Sequence, residues 1–411
     1  MPDSLPHLDP IAWNEIDKHI ADNADEQIAF RRQLHRHPEP SGHELETTRL
    51  VAEKLRGAGL EPRLLRDGLG VVVDVALGRP EADSPRIAIR ADMDALRIQD
   101  EKTTDYRSSV PEVMHACGHD GHTATVLGAA LAVASSPGDW PGDRSVKLRF
   151  LFQPAEETSD GARWLIEQDV LDGVAAILGI HMEPAFPVGH VGVRYGVLTA
   201  ACDEMHISIA GHGGHAARPH QTRDPVLAAA ELICALYGVL PRRIDVRSPA
   251  VMTVAQVHAG RIPNAVPERA EISGTLRTID QETRETLIER VGDVCAGIAT
   301  MTGTTITPDF RYAIPSVVND PRLARALESA SADVLGSDRI VHIPQPSMGG
   351  EDFAFYLQHV PGAMLRLGCT PPGATPQVLH SPRFDFDERS LAIGSRILLR
   401  AALATAEEFR V

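Results

Sequence analysis

Five potential metal ligands crowd into eight positions at His115-Ala116-Cys117-Gly118-His119-Asp120-Gly121-His122. In an extended segment residues i and i+2 project to one side, so Cys117 and His119 can reach a single ion together. A helix starting just afterwards, near Thr123, would draw the thiol toward the thiolate that a metal needs. A second cluster, Gln153-Pro154-Ala155-Glu156-Glu157, closes the apolar run 146–152. Consecutive carboxylates often mark a solvated turn, but these follow a strand expected to be buried. Two buried neighbouring carboxylates repel, and one protonates unless cations compensate them. One glutamate can then bind a metal while the other handles protons. Asp92 and Asp94 follow the run 87–91, and His181 follows 174–180. Alone, each reads as a helix cap, a turn or a satisfied core histidine. Together they place acidic and imidazole groups at the ends of separate strands, where open α/β sheets build their sites. His380 lies far along the chain, in a loop before Phe384, and sequence distance does not exclude it from the same crevice.

The elements that must carry these groups alternate. Ile16, Ile20, Ala24 and Ile28, then Leu50, Val51 and Leu55, give a helical opening. Strand-like runs at 70–77, 87–91, 146–152 and 174–180 are separated by helix-like stretches at 123–134 and 161–168. This pattern predicts an α/β fold with a mostly parallel sheet flanked by helices. Past Cys202 the texture changes to strand, helix, strand, strand, helix, strand: Met205, Ile207 and Ile209 alternate, 225–240 is helical, 251–257 and 270–278 are extended. Leu287, Val291, Val294 and Ile298 then form a stripe, and 304–310 closes the set. The expectation is a catalytic domain of residues 1–202 and 313–411 with an inserted α+β open-faced sandwich at 203–312.

At 411 residues, two or three domains are expected at ~150 residues each. Forty basic against fifty-six acidic residues leave a charge of -16, which repels phosphate backbones and anionic lipid headgroups, so no nucleic acid or membrane partner is expected. No run approaches eighteen uninterrupted apolar residues, and the N-terminus has no basic stretch followed by an apolar one; a cytoplasmic protein is the expectation. The five cysteines are scattered and never in a C-x-x-C pair, which predicts neither a disulfide framework nor a zinc knuckle.

With these residues in view the chain resembles the amidohydrolase branch of the aminoacylase/carboxypeptidase metallopeptidase family, which includes hippurate hydrolases, N-acyl-amino-acid amidohydrolases and indole-acetyl-amino-acid hydrolases. The likeness rests on HRHPEPSGHE from His35, IAIRADMDAL from Ile87, MHACGHDGHTA from Met114, FQPAEE from Phe152, GIHMEP from Gly179, GHGGHAARPH from Gly211, GGEDFAFY from Gly349 and LHSPRFDFDE from Leu379. Arg97 departs from the proline that relatives commonly carry there. The resemblance implies that Cys117, His119, Glu157, His181 and His380 bind two divalent ions, zinc, manganese or cobalt, with Cys117 as a bridge. It implies Glu156 as general base, Asp92 and Asp94 behind the ligands, and the insertion as a lid and dimerisation domain. Within that lid, His215 would approach the scissile carbonyl, while Asn264 and Arg277 would grip the carboxylate of a small N-acyl amino acid. Two other functions fit the same residues: a metal-independent amidase with Cys117 as nucleophile, which would survive chelation, and a metal-stabilised binding protein without turnover.

Overall fold

The computed structural model describes residues 10–77, 84–135 and 146–409; the first nine residues, on which the reading of the N-terminus partly rests, lie outside them. The chain divides into two compact units. One comprises Met1–Gly196, Val318–Gln345 and Asp352–Val411, the other Val197–Val317 and Pro346–Glu351.

The first unit runs α1 (Pro10–Asp22), α2 (Ala24–Arg36), α3 (Leu45–Gly57), β1 (Val71–Leu77), β2 (Arg86–Asp92), α4 (His119–Ala134), β3 (Val146–Gln153), α5 (Gly161–Ile166), β4 (Val174–Pro187), α6 (Pro321–Leu335), β5 (Gly362–Thr370) and α7 (Arg389–Glu408). Its sheet has the order Arg63–Leu64, β1, β3, β2, β4, β5, Val191–Val193, Ile340–His342. The central strands β3, β2, β4 and β5 are mutually parallel, and β1 pairs antiparallel with β3. Parallel strands covered on both faces read as continuous apolar runs, and Ile87, Ile89, Leu148, Phe150, Ile177, Leu178, Leu365 and Leu367 are all buried. Helix α4 is buried nearly all round, because it packs on the sheet as well as on α2 and α7.

Register fixes what meets at the C-terminal edge. Asp92 pairs with Gln153, Arg90 with Gly179, and His181 with Arg366. Asp92 lies two residues beyond Arg90, as His181 lies two beyond Gly179. With a side-chain period of two, Gln153, Asp92, His181 and Arg366 therefore form one row across four strands, on one face.

In the second unit a four-stranded antiparallel sheet has the order Ala250–Ala259, Arg269–Thr278, Ala201–Ala210, Thr305–Ile314. The helices Pro225–Val239 and Gln281–Thr302 pack on one of its faces, burying Met205, Ile207, Ile209, Leu232, Leu236, Ile272, Leu287 and Val291. Asp224 and Asp280 cap these helices, accepting from Val226 N at 2.8 Å and Thr283 N at 2.7 Å. Among the described residues one stretch, Pro225–Arg242, is long and apolar enough to cross a membrane by length and composition. Its Ala228, Ala229, Leu232 and Leu236 lie in the core of the sandwich.

Candidate active site

Gly118 opens the cluster. It sits at the N-cap of α4 with φ 94°, a left-handed conformation that glycine adopts without a Cβ penalty, and a Cβ there would press on Met182 at 3.2 Å. On either side of this kink Cys117 and His119 reach a common centre. Cys117 Sγ lies 3.6 Å from His181 Nε2. The ligand atoms of Cys117, His119 and His181 fall within 4.8 Å of one another, as do those of Cys117, Glu157 and His380, and those of His119, Glu156 and Glu157. The other polar members of the segment do different work. His122 Nδ1 donates to Asp92 at 2.6 Å and its Nε2 accepts from Met182 N at 2.8 Å, so both nitrogens are committed. Asp120 turns toward Arg31 and His35. His115 is buried with neither nitrogen hydrogen-bonded, and burial pushes its pKa down to about 4.

The two glutamates are placed by a turn. Ala155 has φ 54°, rare for a residue with a Cβ, and its N–H donates to the buried Glu44 carboxylate at 2.8 Å. A Cβ on Gly161 would fall 1.6 Å from the Pro154 carbonyl, so the chain can fold back over this turn only with glycine there. Asp94 Oδ2 accepts from Glu157 N at 3.0 Å and from Ser41 Oγ at 2.6 Å, while its Oδ1 receives His119 Nδ1 at 3.1 Å. Thus His119 Nε2 ends 3.9 Å from both Glu156 Oε2 and Glu157 Oε1. His380, also left-handed at φ 64°, is pinned by its N–H to the Ala116 carbonyl at 2.8 Å and brings Nε2 to 3.5 Å from Glu157 Oε1.

Charge is concentrated here. Burial pushes Glu157 up to about 7, opposed by His119 and reinforced by Asp94 and Asp92. Burial also drives the Cys117 thiol well above its ordinary range, with Glu157 adding to the effect. The start of α4 therefore does not supply a thiolate by itself, contrary to the expectation from sequence, and a cation must. Asp92 is held well below the usual carboxylate range: burial opposes this, but His119, His122 and Arg90 outweigh it. His119 is held well above its ordinary value against its burial, chiefly by Asp92 and Cys117. His181 is pressed well down by burial, the Arg366 guanidinium and His122. Neither His119 Nε2 nor Glu157 Oε1 has a hydrogen-bond partner although both are buried. Orphaned nitrogen and oxygen atoms facing a thiol are the donor set of a divalent metal site, and Asp94 on His119 Nδ1 supplies the outer hydrogen bond that fixes the ligating tautomer. A nucleophilic thiol fits poorly, because Cys117 is buried and its would-be base His181 is held weakly basic.

Behind the ligands Arg90 ties Asp92 at 2.5 Å, Gln153 at 2.9 Å and Asp352 at 2.7 Å together. Glu44, Ser41, Arg90 and Asp352 lie inside the segments that carry the resemblance, but the sequence assigned them no role. A signal existed for Arg90, a charge inside a run that must be buried on both faces. In the second unit His215 pairs with Ala265 in a short ladder, and Ala216 N donates to Asn264 O at 3.1 Å, so His215 and Asn264 are close neighbours, both exposed. Arg277 is apart from them on the four-stranded sheet, half-buried, donating to the Met348 carbonyl at 2.8 Å. Arg97 is exposed.

Comparison with known proteins supplies the family. The model of Peptidase family M20/M25/M40 matches residues 88–404. N-acetylcysteine deacetylase of Bacillus subtilis is 38% identical over 387 residues, 93% of this chain and 97% of that protein. IAA-amino acid hydrolase ILR1-like 4 of Arabidopsis thaliana is 36% identical over 386 residues, 93% of this chain and 85% of that protein. The crystal structure of a dinuclear metal-binding peptidase of the M20 family from Bacillus subtilis superposes with a TM-score of 0.81 at 36% identity, covering 94% of this chain and 99% of that one. With the family model spanning most of the chain and full-length relatives above 30% identity, this chain belongs to peptidase family M20/M25/M40 and is a metal-dependent amidohydrolase.

Proposed function

We propose that the enzyme hydrolyses the amide bond of N-acyl amino acids, releasing a carboxylic acid and a free amino acid. Cys117, His119, Glu157, His181 and His380 would hold two divalent ions, zinc, manganese or cobalt, with Cys117 common to both ligand groups. When bound, such cations polarise the carbonyl and make water acidic near neutral pH. Glu156 takes a proton from the water that adds to the amide carbon and returns it to the departing nitrogen as the C–N bond breaks. His215 would steady the carbonyl oxygen as it gains charge, and Asn264 with Arg277 would hold the amino-acid carboxylate. The second unit would serve as lid and as the contact of a homodimer.

The carrying observation is the pair of adjacent carboxylates that reach the same His119 nitrogen at 3.9 Å from one turn, one of them orphaned beside His380. Two carboxylates so placed can divide ligation from proton transfer. The names of two relatives, a deacetylase of N-acetylcysteine and a hydrolase of an amino-acid conjugate, favour the same substrate class. The test is Glu156→Gln, assayed on N-acetyl, N-benzoyl and longer N-acyl amino acids alongside metal analysis. Turnover should fall about 10²–10⁴-fold with metal content unchanged. Near-normal turnover removes Glu156 from its role, and turnover that survives complete chelation favours Cys117 as nucleophile instead.

A further inference from the structure

Among the described residues four arginines are buried, Arg31, Arg90, Arg149 and Arg366. Three of them hold carboxylates: Arg31 with Asp120, Arg90 with Asp92 and Asp352, Arg149 with Asp74. Arg366 is the exception. It is only 8% exposed, yet among the described residues it forms no hydrogen bond or ion pair through its guanidinium. None of its guanidinium nitrogens is among the buried atoms without partners, so on a side chain otherwise buried the charged end still touches solvent and is open to an incoming anion.

Its place in the fold says what that is. Arg366 is the fourth member of the row Gln153, Asp92, His181, Arg366, directly paired with His181 and on the same face. Strand neighbours confirm the side: Gly179 and Met364, two residues before His181 and Arg366, face each other, while Ile180 and Leu367 face Gly394 of α7 on the opposite side. Two of the other row members stand at the centre and the third lies behind it: His181 meets Cys117, Asp92 comes within 3.8 Å of His119 Nδ1, and Gln153 binds Asp352. The chain's net charge of -16 repels anions at a distance, so an anionic substrate needs a local cation.

We propose that Arg366 binds a carboxylate of the substrate beside the metal ligands and so determines specificity for anionic amides. This rests on the N-acyl amino acid reading and adds a residue to it from the first unit. A planar guanidinium matches a carboxylate in a two-pronged hydrogen bond, which a lysine cannot reproduce.

The experiment compares wild type, Arg366→Met and Arg366→Lys, all metal-loaded, on an N-acetyl amino acid, on the same compound with its carboxylate converted to a carboxamide, and on that carboxamide carrying an N-succinyl group. Arg366→Met should raise KM at least about tenfold more for a carboxylate-bearing substrate than for the neutral amide, with Arg366→Lys recovering part of that difference. A loss confined to the first substrate identifies the amino-acid carboxylate; a loss confined to the succinyl compound identifies the acyl side. Equal change on charged and neutral substrates, or no change, overturns the assignment. Calorimetry with benzoate gives a reading independent of turnover: about tenfold weaker binding to Arg366→Met supports the site, and equal binding refutes it. If wild type cleaves none of the amides while benzoate still distinguishes the variants, the substrate reading fails and the anion site stands.

Discussion

His119 and Asp120 are neighbours in the first turn of α4 and enter two charge clusters built on opposite principles. Asp120 Oδ2 takes Arg31 Nε at 2.7 Å and His35 Nδ1 at 2.8 Å. Arg31 also holds Asp385 at 3.0 Å and Glu388 at 3.2 Å, and Lys102 Nζ meets His35 Nε2 at 2.6 Å while donating to the Phe384 carbonyl. Asp100 closes the far side by accepting from the N–H groups of Lys102 and Ser108. Cations and anions answer each other there, with Asp120 Oδ1 left over. Around His119 the balance is missing: carboxylates, imidazoles and a thiol face one another, and the atoms without partners point inward. Both clusters are buried, so burial alone does not mark function. The sign balance does, since a network containing its own cations is complete and one lacking them is a receptor for a cation.

The contrast is sharpest where one side chain is removed from each cluster. His119→Ala takes a ligand common to two of these donor groups, and metal affinity should drop by more than the ~10–100-fold typical of outer-shell changes, with turnover lost and the metal-free protein losing only about 1–3 kcal/mol, the cost of a hydrogen bond to buried Asp94. Metal analysis after dialysis checks the first part and thermal melting the second. Arg31→Met should do the reverse. It leaves Asp120, Asp385 and Glu388 without their shared cation and should cost about 3–5 kcal/mol of stability by denaturant titration, while the folded fraction keeps its metal. If Arg31→Met lost metal without losing stability, the two clusters would be one.

The open cluster was more legible in the sequence than the closed one. Cys117 and His119 share a short segment, Asp92 and His181 end apolar runs, and the rule that strand ends gather sites needs no knowledge of packing. The sheet was legible for the same reason, as runs of buried apolar residues. Arg31 finds Asp120 across 89 residues, Arg90 finds Asp352 across 262 and Glu44 finds Ala155 across 111, and no local pattern announces such pairings. Element ends were missed where polar residues are buried by tertiary bonds. Helix α4 begins at His119, ahead of the apolar periodicity at Thr123, because His119, Asp120 and His122 are hydrogen-bonded inside the protein. Strand β4 runs on to Pro187, past the apolar stretch that ends at Ile180, because β5 continues to pair with it.

Proton release offers a finer measure of the open cluster. In the metal-free protein burial drives the Cys117 thiol well above its ordinary range and Asp92 with Cys117 holds His119 above its own, so a cation displaces the thiol proton at pH 6 and pH 8 alike. Glu157 differs, because burial sets it at about 7: it is mostly protonated at pH 6 and mostly ionised at pH 8. Calorimetry of metal binding in buffers of different protonation enthalpy should therefore show about one proton fewer released at pH 8 than at pH 6, and affinity should steepen by about an extra tenfold per pH unit below 7. Glu157→Gln should remove that difference. Stability carries the matching sign. The folded metal-free protein holds the Glu157 proton between pH 4.5 and about 7 where the unfolded chain has lost it, so stability falls as pH rises through that window. Bound metal cancels this loss by favouring the ionised carboxylate. Proton release that is the same at pH 6 and pH 8 would mean that Glu157 is not among the groups a cation displaces.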